Sequence, residues 1–188
     1  MTTSSVKRLA LVVEGSTDKS FFQPLRSWFE GLGFSMWVTT AHNRERLVRD
    51  APKHLAAHRQ AGREIIGFVL DQHDDECPPM TAARLSQVSG HADVLIVVVG
   101  RCLESWLLAD EAAILAATGR NYQCQGMTDT LPDPVRAIRD VFYRSRGQYL
   151  SKTEIVRAVA RRFDVERASH NNSSLKRFRD KLLRLAAV

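Results

Sequence analysis

The sequence predicts an α/β fold in which helices cover both faces of a four-stranded parallel sheet. Four short runs of apolar and β-branched residues are spaced along the first hundred residues, and stretches with apolar residues at helical spacing separate them. Strands that are apolar on both faces are typical of parallel sheets joined by right-handed helical crossovers. We therefore expect the order βαβαβαβ, followed by helices alone.

Each predicted element follows from a local pattern and a local stop signal. The predicted strands are the runs at residues 9–13, 34–39, 65–70 and 94–99. The helices between them are predicted at residues 21–29, 43–61 and 81–88. Gly31 and Gly33 end the first of these helices, and Gly62 ends the second.

The chain changes character after Gly100. Apolar residues at helical spacing predict a helix from Leu103, and the turn-forming residues that follow predict an irregular loop over residues 118–134. Ser151 and Ser173 are predicted N-caps of later helices. The later helices are predicted at residues 135–142, 152–163 and 173–185.

The basic charge is concentrated in the second part of the chain. Residues 1–110 contain 12 Lys and Arg against 13 Asp and Glu, whereas residues 111–188 contain 15 against 8. Such a basic surface suits a polyanion, and a soluble Arg-rich helical face is the alternative of equal weight. We divide the chain into an α/β domain, residues 1–117, and a basic helical extension packed on it, residues 118–188.

The composition excludes several classes of protein. Hydrophobic residues make up 44% of the 188 residues and charged residues 26%, so the chain can bury a core and is not of low complexity. The longest apolar run, Val94 to Val99, is far shorter than the ~18 residues of a membrane span, and residues 1–5 show no signal-peptide pattern. Three cysteines without a paired spacing favour reduced thiols. We therefore expect a cytoplasmic protein.

Acidic residues follow three of the four predicted strands. In open parallel sheets the functional crevice lies beyond the carboxyl ends of the strands. The acids in question are Glu14 and Asp18 after the first strand, Asp71, Asp74 and Asp75 after the third, and Glu104 after the fourth. Carboxylates gathered at one edge repel each other unless a cation neutralises them, and oxygen ligands suit Mg²⁺ or Mn²⁺. The sequence predicts a divalent-metal site, and helix capping by these acids is the alternative.

Other kinds of site are less well supported by residue spacing. The glycine turn before Lys19 lacks the glycine positions of a nucleotide-binding P-loop. His54 and His58 are four residues apart in a predicted helix, but their surroundings resemble a solvated face and no third zinc ligand is evident. Cys102 has no accompanying catalytic motif and is expected to be a small buried residue.

The motif strand-Glu14-Gly15-x-x-Asp18, followed by the acidic turn at residues 71–75, resembles the Toprim domain. That domain is the metal-binding module of topoisomerases, bacterial primases and overcoming-lysogenization-defect (OLD) nucleases. The resemblance covers residues 6–110 and implies a Toprim/Rossmann-like three-layer fold. The string Leu-Glu-x-Trp-Leu-Leu-Ala-Asp from Leu103 is its most specific element. With the tail segments at 149–152 and 173–178, the string is similar to small stand-alone Toprim-like proteins suspected of acting in phage defence beside an ATPase.

The resemblance implies roles for individual residues. It makes Glu14 a general acid/base or metal ligand and Asp71 a metal ligand, and OLD-type relatives place Asp18 beside Glu14. The usual second aspartate of Asp-x-Asp is His73 in this sequence, so that Asp74, Asp75 or His73 itself would complete the site. A nitrogen ligand would favour Mn²⁺ over Mg²⁺, and a degenerate, inactive site is the alternative.

The leading hypothesis is an enzyme, a Mg²⁺- or Mn²⁺-dependent nuclease or related phosphoryl-transfer module acting on DNA or RNA. Glu14 and Asp71 are its candidate catalytic residues. The candidate metal ligands are Glu14, Asp18, Asp71, His73, Asp74 and Glu104. The second hypothesis is a non-catalytic, metal-binding regulatory subunit that docks a partner ATPase. Primase or topoisomerase activity is disfavoured because the sequence contains no additional domains of the kind those reactions use.

Cations of the chain are expected to neutralise the backbone of the nucleic acid. The candidate nucleic-acid-binding residues are Lys19, Arg144, Arg146, Lys152, Arg161 and Arg162. Phe142, Tyr143 and Tyr149 interleave with two of these arginines and could stack on bases. The alternative is that these aromatic residues are buried in the core, which is the more frequent case in short helices.

Overall fold

The computed structural model describes residues 6–72, 78–89 and 94–187 and contains the predicted three-layer α/β fold. Its sheet is wholly parallel, with the strand order β2-β1-β3-β4. The strands are β1 (Lys7–Val13), β2 (Phe34–Thr40), β3 (Ile65–Asp71) and β4 (Leu95–Val99). Because β1 and β3 are the central pair, the chain segments that follow them leave the middle of the carboxyl edge.

Helices cover both faces of the sheet and form most of the tail, where an irregular segment with one 3₁₀ turn (Thr128–Thr130) separates α7 from α8. Those of the α/β part are α1 (Ser16–Phe22), α2 (Arg26–Gly31), α3 (Arg44–Arg49), α4 (Ala51–Gln60) and α5 (Pro78–Ser89). After β4 come α6 (Leu103–Leu108), α7 (Glu111–Thr118), α8 (Pro134–Arg146), α9 (Lys152–Ala160), α10 (Val165–Ser169) and α11 (Ser173–Ala186). No helix among the described residues is long and apolar enough to cross a membrane.

Two helices that the sequence predicts as single elements are each divided beside a proline. Pro24 lies in a 3₁₀ turn (Gln23–Leu25) between α1 and α2. The predicted helix at 43–61 is two helices in the structure. The first, α3, ends at Arg49 with Asp50 as its C-cap, and Pro52 lies in the first turn of α4. Proline cannot donate the backbone hydrogen bond of a helix interior but is well accommodated in a first turn, which explains both divisions.

The predicted N-caps of the tail helices have different outcomes. Ser151 caps α9, because its Oγ accepts a hydrogen bond from the Glu154 N–H at 3.3 Å while the Glu154 carboxylate accepts one from the Ser151 N–H at 2.8 Å. For α11 the prediction of Ser173 is wrong by one residue. Asn172 is the cap, and its Oδ1 accepts a hydrogen bond from the Leu175 N–H at 2.9 Å.

A buried polar network joins the start of α11 to the end of β4. Ser174 Oγ accepts hydrogen bonds from the Gly100 N–H at 2.9 Å and the Trp106 Nε1–H at 2.8 Å, and it donates one to Asn172 Oδ1 at 2.8 Å. Each partner is thereby satisfied away from water, as buried polar groups require. The network holds the tail against the sheet near its carboxyl edge.

One apolar core joins the sheet to the tail helices. On one face of the sheet Trp106 stacks on Phe178 of α11 with ring centroids 5.4 Å apart, and Phe21 of α1 contacts Phe163 at 5.0 Å. On the other face a separate cluster packs under α3, α4 and α5 and includes Leu47 and Phe68. The tail therefore shares a core with the sheet, and α9 reaches the carboxyl edge from that side.

Candidate functional site

Carboxylates from three strand ends lie at the carboxyl edge of the sheet. Glu14 directly follows β1, Asp71 is the last residue of β3, and Glu104 lies in the first turn of α6 after β4. Glu14 Oε1 accepts a hydrogen bond of 2.8 Å from the Asp71 backbone N–H. The expected contact between the ends of β1 and β3 is therefore present, because these strands are adjacent and parallel.

Asp18 serves the turn between β1 and α1. Its Oδ2 accepts a hydrogen bond of 2.8 Å from the Gly15 N–H, which gives it the capping role that the sequence left as an alternative. Asp18 is also close enough to Asp71 for its negative charge to raise the pKa of that carboxyl. Asp18 is therefore both a helix-capping residue and a member of the acidic cluster.

Asp71 is the most perturbed acid of the cluster. It is 8% exposed, and burial raises the pKa of its carboxyl well above the usual range. The charges of Asp18 and Glu14 raise this pKa further, and Lys152 opposes them in part. The carboxyl consequently keeps its proton to a higher pH than a solvated aspartate does.

Lys152 supplies a positive charge inside this cluster. Its Nζ lies 3.0 Å from Glu104 Oε1, and the side chain of Glu104 is only 2% exposed. Neither carboxylate oxygen of Glu104 has a well-aligned hydrogen bond from the described residues, so the short Lys152 contact is an ion pair of imperfect direction. Burial lowers the pKa of Lys152, but the charges of Glu104, Asp71 and Asp18 outweigh it and leave that pKa raised. The ammonium therefore remains charged.

The packing of α9 on α1 delivers Lys152 to the sheet edge. Thr17 Oγ1 of α1 and Thr153 Oγ1 of α9 are 3.4 Å apart. The sequence predicted Lys152 as one cation of a nucleic-acid surface, whereas the structure also places it beside Glu104. No local signal in the sequence could have identified this pair, because 48 residues separate the two side chains.

Arg44 is a site residue that sequence reasoning missed. Its Nη1 donates hydrogen bonds to the carbonyl oxygens of Asp71 at 3.2 Å and Gln72 at 3.1 Å. Arg44 begins α3, just after β2 reaches the same carboxyl edge. Its position after a strand could have marked it, as it marked the acids. The guanidinium fixes the backbone on which the Asp71 carboxyl is carried.

Cys102 lies beneath the cluster and is buried, as expected. Burial, followed by the negative charges of Glu104 and Asp71, raises the pKa of its thiol. A thiol that keeps its proton is a poor nucleophile. Cys102 is therefore a packing residue of the site.

The donors at this edge are chemically suited to a hard divalent cation. They are carboxylate oxygens, and both oxygens of the buried Glu104 lack a well-aligned hydrogen bond from the described residues. Even so, in the ranges 6–72, 78–89 and 94–187 no group of three or more His, Cys, Asp or Glu side chains is arranged to hold a metal ion. The predicted ligands His73 and Asp74, and Asp75 with them, lie outside the described residues. Metal ligation thus stays a prediction.

The other predicted nucleic-acid-binding cations are spread over the surface. Lys19 follows Asp18 in α1, and Arg146 donates a hydrogen bond to the Ala117 carbonyl oxygen at 3.3 Å from the last turn of α8. Arg161 and Arg162 are exposed at the far end of α9, roughly 14 Å along the helix from Lys152 at 1.5 Å per residue.

The interleaved aromatic residues divide between core and surface. Phe142 is fully buried. Tyr143 and Tyr149 stack on each other with ring centroids 4.5 Å apart and remain 43% and 74% exposed. We call this pair the tyrosine stack. Arg144 and Arg146 lie between the two tyrosines in sequence, and Tyr149 lies three residues before Lys152.

The surroundings of the histidine pair of α4 are solvated as predicted, because Ala56, Ala57 and Arg59 are exposed, but His58 itself turns inward. His58 is 8% exposed, and its Nε2 lies 3.1 Å from Thr39 Oγ1 of β2. Burial lowers the pKa of His58. The residue packs α4 on the sheet because its ring can be buried once Thr39 satisfies a ring nitrogen.

Comparisons with known proteins give no information on the function of this chain. No family model, curated protein or solved structure matches the chain. The resemblance to the Toprim domain accordingly stays a prediction that rests on the motif residues.

Proposed function

We propose that the protein is a divalent-metal-dependent nuclease, or a related phosphoryl-transfer enzyme, of the Toprim-like class. The observation that carries this proposal is the meeting of Glu14, Asp71 and Glu104 at one sheet edge, where the ammonium of Lys152 pairs with Glu104. Buried carboxylates of like charge cost free energy unless a cation compensates them. A fold that holds such a carboxylate cluster at the carboxyl edge of its sheet is suited to bind a cation there. A cytoplasmic location and a role in phage defence belong to the same proposal.

The residues of the site divide the proposed chemistry among them. Glu14, Asp71 and Asp18 would hold the Mg²⁺ or Mn²⁺ ion, and the predicted ligands His73, Asp74 and Glu104 would complete its surroundings. The bound ion would supply an activated water and charge stabilisation at the phosphate. Glu14 is held by the Asp71 N–H, and a carboxylate so fixed can accept the proton of an attacking water. Lys152 offers a positive charge to the phosphate oxygens.

Asp71 links the proposed ion to pH. Metal ligands must be deprotonated, and the pKa of this carboxyl is raised by burial and by its acidic neighbours. Ion binding is therefore expected to release a proton and to strengthen as the pH rises through the pKa of Asp71.

Asp71→Asn is expected to stabilise the metal-free protein at neutral pH. Because the folded-state pKa of Asp71 lies above its unfolded value, stability falls as pH rises between the two, and the variant escapes this loss. Each kcal/mol regained raises the unfolding midpoint by roughly 2–4 °C in a chain of this size. Thermal unfolding in EDTA at pH 4 and pH 8 measures the difference, which should grow with pH. A variant less stable than the wild type at pH 8 would contradict the prediction.

The proposed function is tested with the ion and the substrate together. Mn²⁺ or Mg²⁺ at 100–1,000 times its dissociation constant should stabilise the fold by about 2–4 kcal/mol, and EDTA should reverse this. The same ions should support nicking of supercoiled plasmid or cleavage of single-stranded DNA or RNA. Unchanged unfolding midpoints with Mn²⁺, Mg²⁺ and EDTA, together with intact nucleic acid, would overturn the proposal.

The tyrosine stack favours a substrate with unpaired bases near the site. Aromatic rings bind bases only when the bases are unstacked, and arginines beside them hold the backbone. Tyr149→Ala should therefore weaken binding of a single-stranded oligonucleotide by about 1–3 kcal/mol and leave duplex binding nearly unchanged. Fluorescence anisotropy in EDTA measures binding without cleavage. Trp37→Ala, which removes a 51%-exposed aromatic side chain from β2, is the control, and an equal loss in both variants would exclude a specific stack.

A regulatory subunit that docks a partner ATPase is the second candidate function. The observation that favours it is the ion pair of Lys152 with Glu104, which gives the cluster an internal counter-charge. Such a protein would bind the ion without cleaving nucleic acid. Metal-dependent stabilisation in the absence of any cleavage would select this candidate.

A further inference from the structure

The sheet has an open edge with a groove along it. β4 is one of the two outer strands, and none of the described segments pairs with its outer side. The helices α5 and α11 cover the two faces of β4, and two cavities of about 360 and 340 Å³ lie along the strand. Ile96 and Lys181 line both cavities, which makes them one continuous groove.

The groove combines an apolar floor with a basic wall. Ile96, Val97 and Val98 of β4 form the floor. Arg177, Lys181 and Arg184 line the wall at i, i+4 and i+7 of α11 and thus share one side of that helix. We call these three residues the cationic stripe.

The cationic stripe has no internal counter-charge in the part of the chain that the structure describes. On the same helix Lys176 pairs with Asp180 at 2.6 Å, and Arg179 pairs with Asp180 at 2.8 Å. Residues of the stripe enter no such pair with a described residue. The cations of α11 that line the groove are therefore those that pair with no carboxylate among the described residues.

Lys181 shows that the strand edge offers backbone groups to the groove. Its Nζ donates a hydrogen bond of 2.8 Å to the Ile96 carbonyl oxygen. A lysine side chain that covers a sheet edge prevents the edge from pairing with unrelated strands. A strand that offers a backbone N–H in its place can displace it. Burial, together with the charges of Arg177 and Arg184, lowers the pKa of Lys181, so an anion in the groove would relieve an existing repulsion.

We propose that this groove binds an extended, acidic peptide segment of a partner protein. The segment adds as a strand beside β4, places alternate apolar side chains over the floor, and presents Asp or Glu to the cationic stripe. Its backbone N–H replaces Lys181 at the Ile96 carbonyl, and the freed ammonium pairs with a carboxylate of the segment. The proposal is independent of the proposed nuclease function.

A peptide suits the groove better than a nucleic acid does. The floor of the groove is lined by the apolar side chains of β4, whereas nucleic-acid interfaces are polar and highly charged. The stripe also leads away from the acidic cluster. Helix α11 starts beside Gly100 at the carboxyl edge and ends where Lys7 Nζ donates a hydrogen bond of 2.7 Å to the Leu185 carbonyl oxygen, at the opposite edge. Cations there are poorly placed to hold phosphates next to the cluster.

The test uses a fluorescein-labelled ten-residue peptide of alternating Glu and Val. Its binding, measured by anisotropy, should weaken about tenfold or more in Arg177→Glu and in Lys181→Glu, because each reverses a charge facing the peptide. Lys176→Glu reverses a charge on α11 that does not line the groove, and it should change the affinity by less than about twofold. Methylation of alternate peptide nitrogens should abolish binding, and backbone amide shifts of residues 95–99 should report the contact.

Several results would overturn the proposal. They are absence of binding at millimolar peptide, equal losses in Lys176→Glu and Lys181→Glu, or equal binding of a Lys-Val peptide. A mixed-sequence oligonucleotide that binds in place of the peptide and responds to Lys181→Glu alone would assign the stripe to nucleic acid instead. Arg177→Glu and Arg184→Glu leave the Lys181 hydrogen bond intact and replace Lys181→Glu should that variant not fold.

Discussion

Glu14→Gln is expected to lower metal-dependent cleavage of nucleic acid by about 10³-fold or more, while leaving nucleic-acid binding within about twofold. The amide oxygen can still accept the hydrogen bond from the Asp71 N–H, so the turn after β1 keeps its geometry. The substitution removes the negative charge that would hold the ion and the group that would accept the proton of water. Steady-state cleavage with Mn²⁺ and oligonucleotide binding in EDTA separate the two effects.

The matched control for this variant is Glu30→Gln. Glu30 lies exposed on α2 and loses the same charge in the same chemical change. Its cleavage rate should equal that of the wild type. Full activity of Glu14→Gln would remove Glu14 from the chemistry, and the second candidate function would then account for the acidic cluster.

The fold could be predicted from the sequence because its signals are local. A strand such as 65–70 and the glycine that ends a helix at Gly62 each lie within a few residues of the feature they specify. The two helices whose division was not predicted are also determined locally, by Pro24 and Pro52. The spacing of apolar residues alone does not show the effect of a proline on a helix boundary. The parallel topology then brought the ends of β1 and β3 together.

The charge of the site could not be predicted in the same way. The sequence predicts one basic surface from the Lys and Arg of the tail, but in the fold these residues have different partners. Lys152 joins the acidic cluster, and Arg167 forms two hydrogen bonds, of 2.7 and 2.8 Å, to the fully buried Asp110. Such pairings connect residues about 50 positions apart, and the net charge of a segment carries no information about them.

The motif from Leu103 shows how one short string can serve the whole molecule. Glu104 enters the acidic cluster, Trp106 packs against α11, and Asp110 receives Arg167 and caps α7 through the Ala113 N–H at 3.0 Å. The motif therefore joins the site, the core and the tail. Each polar position of the motif has a partner that is distant in sequence.

Lys152→Met is expected to destabilise the metal-free protein by about 1–3 kcal/mol, because it leaves the buried Glu104 carboxylate without its counter-charge. The loss is smaller than the ~3–5 kcal/mol of a fully buried pair, since the Lys152 side chain is 38% exposed and partly screened by solvent. Methionine preserves the apolar stem of the lysine, so the change isolates the charge. Urea unfolding in EDTA measures the effect.

A divalent ion should repair this variant more than it stabilises the wild type. If the cluster is built to be neutralised by a cation, Mn²⁺ can replace the missing ammonium, and the Mn²⁺-dependent gain in unfolding free energy becomes larger in Lys152→Met. The double variant Glu104→Gln/Lys152→Met should recover much of the loss in EDTA, because neither charge remains. Lys176→Met, which breaks an exposed pair with Asp180, is the control and should change stability by less than about 0.5 kcal/mol. An equal Mn²⁺ response in Lys152→Met and the wild type would mean that the ammonium and the ion do not share a site, and that Lys152 only holds α9 to the sheet.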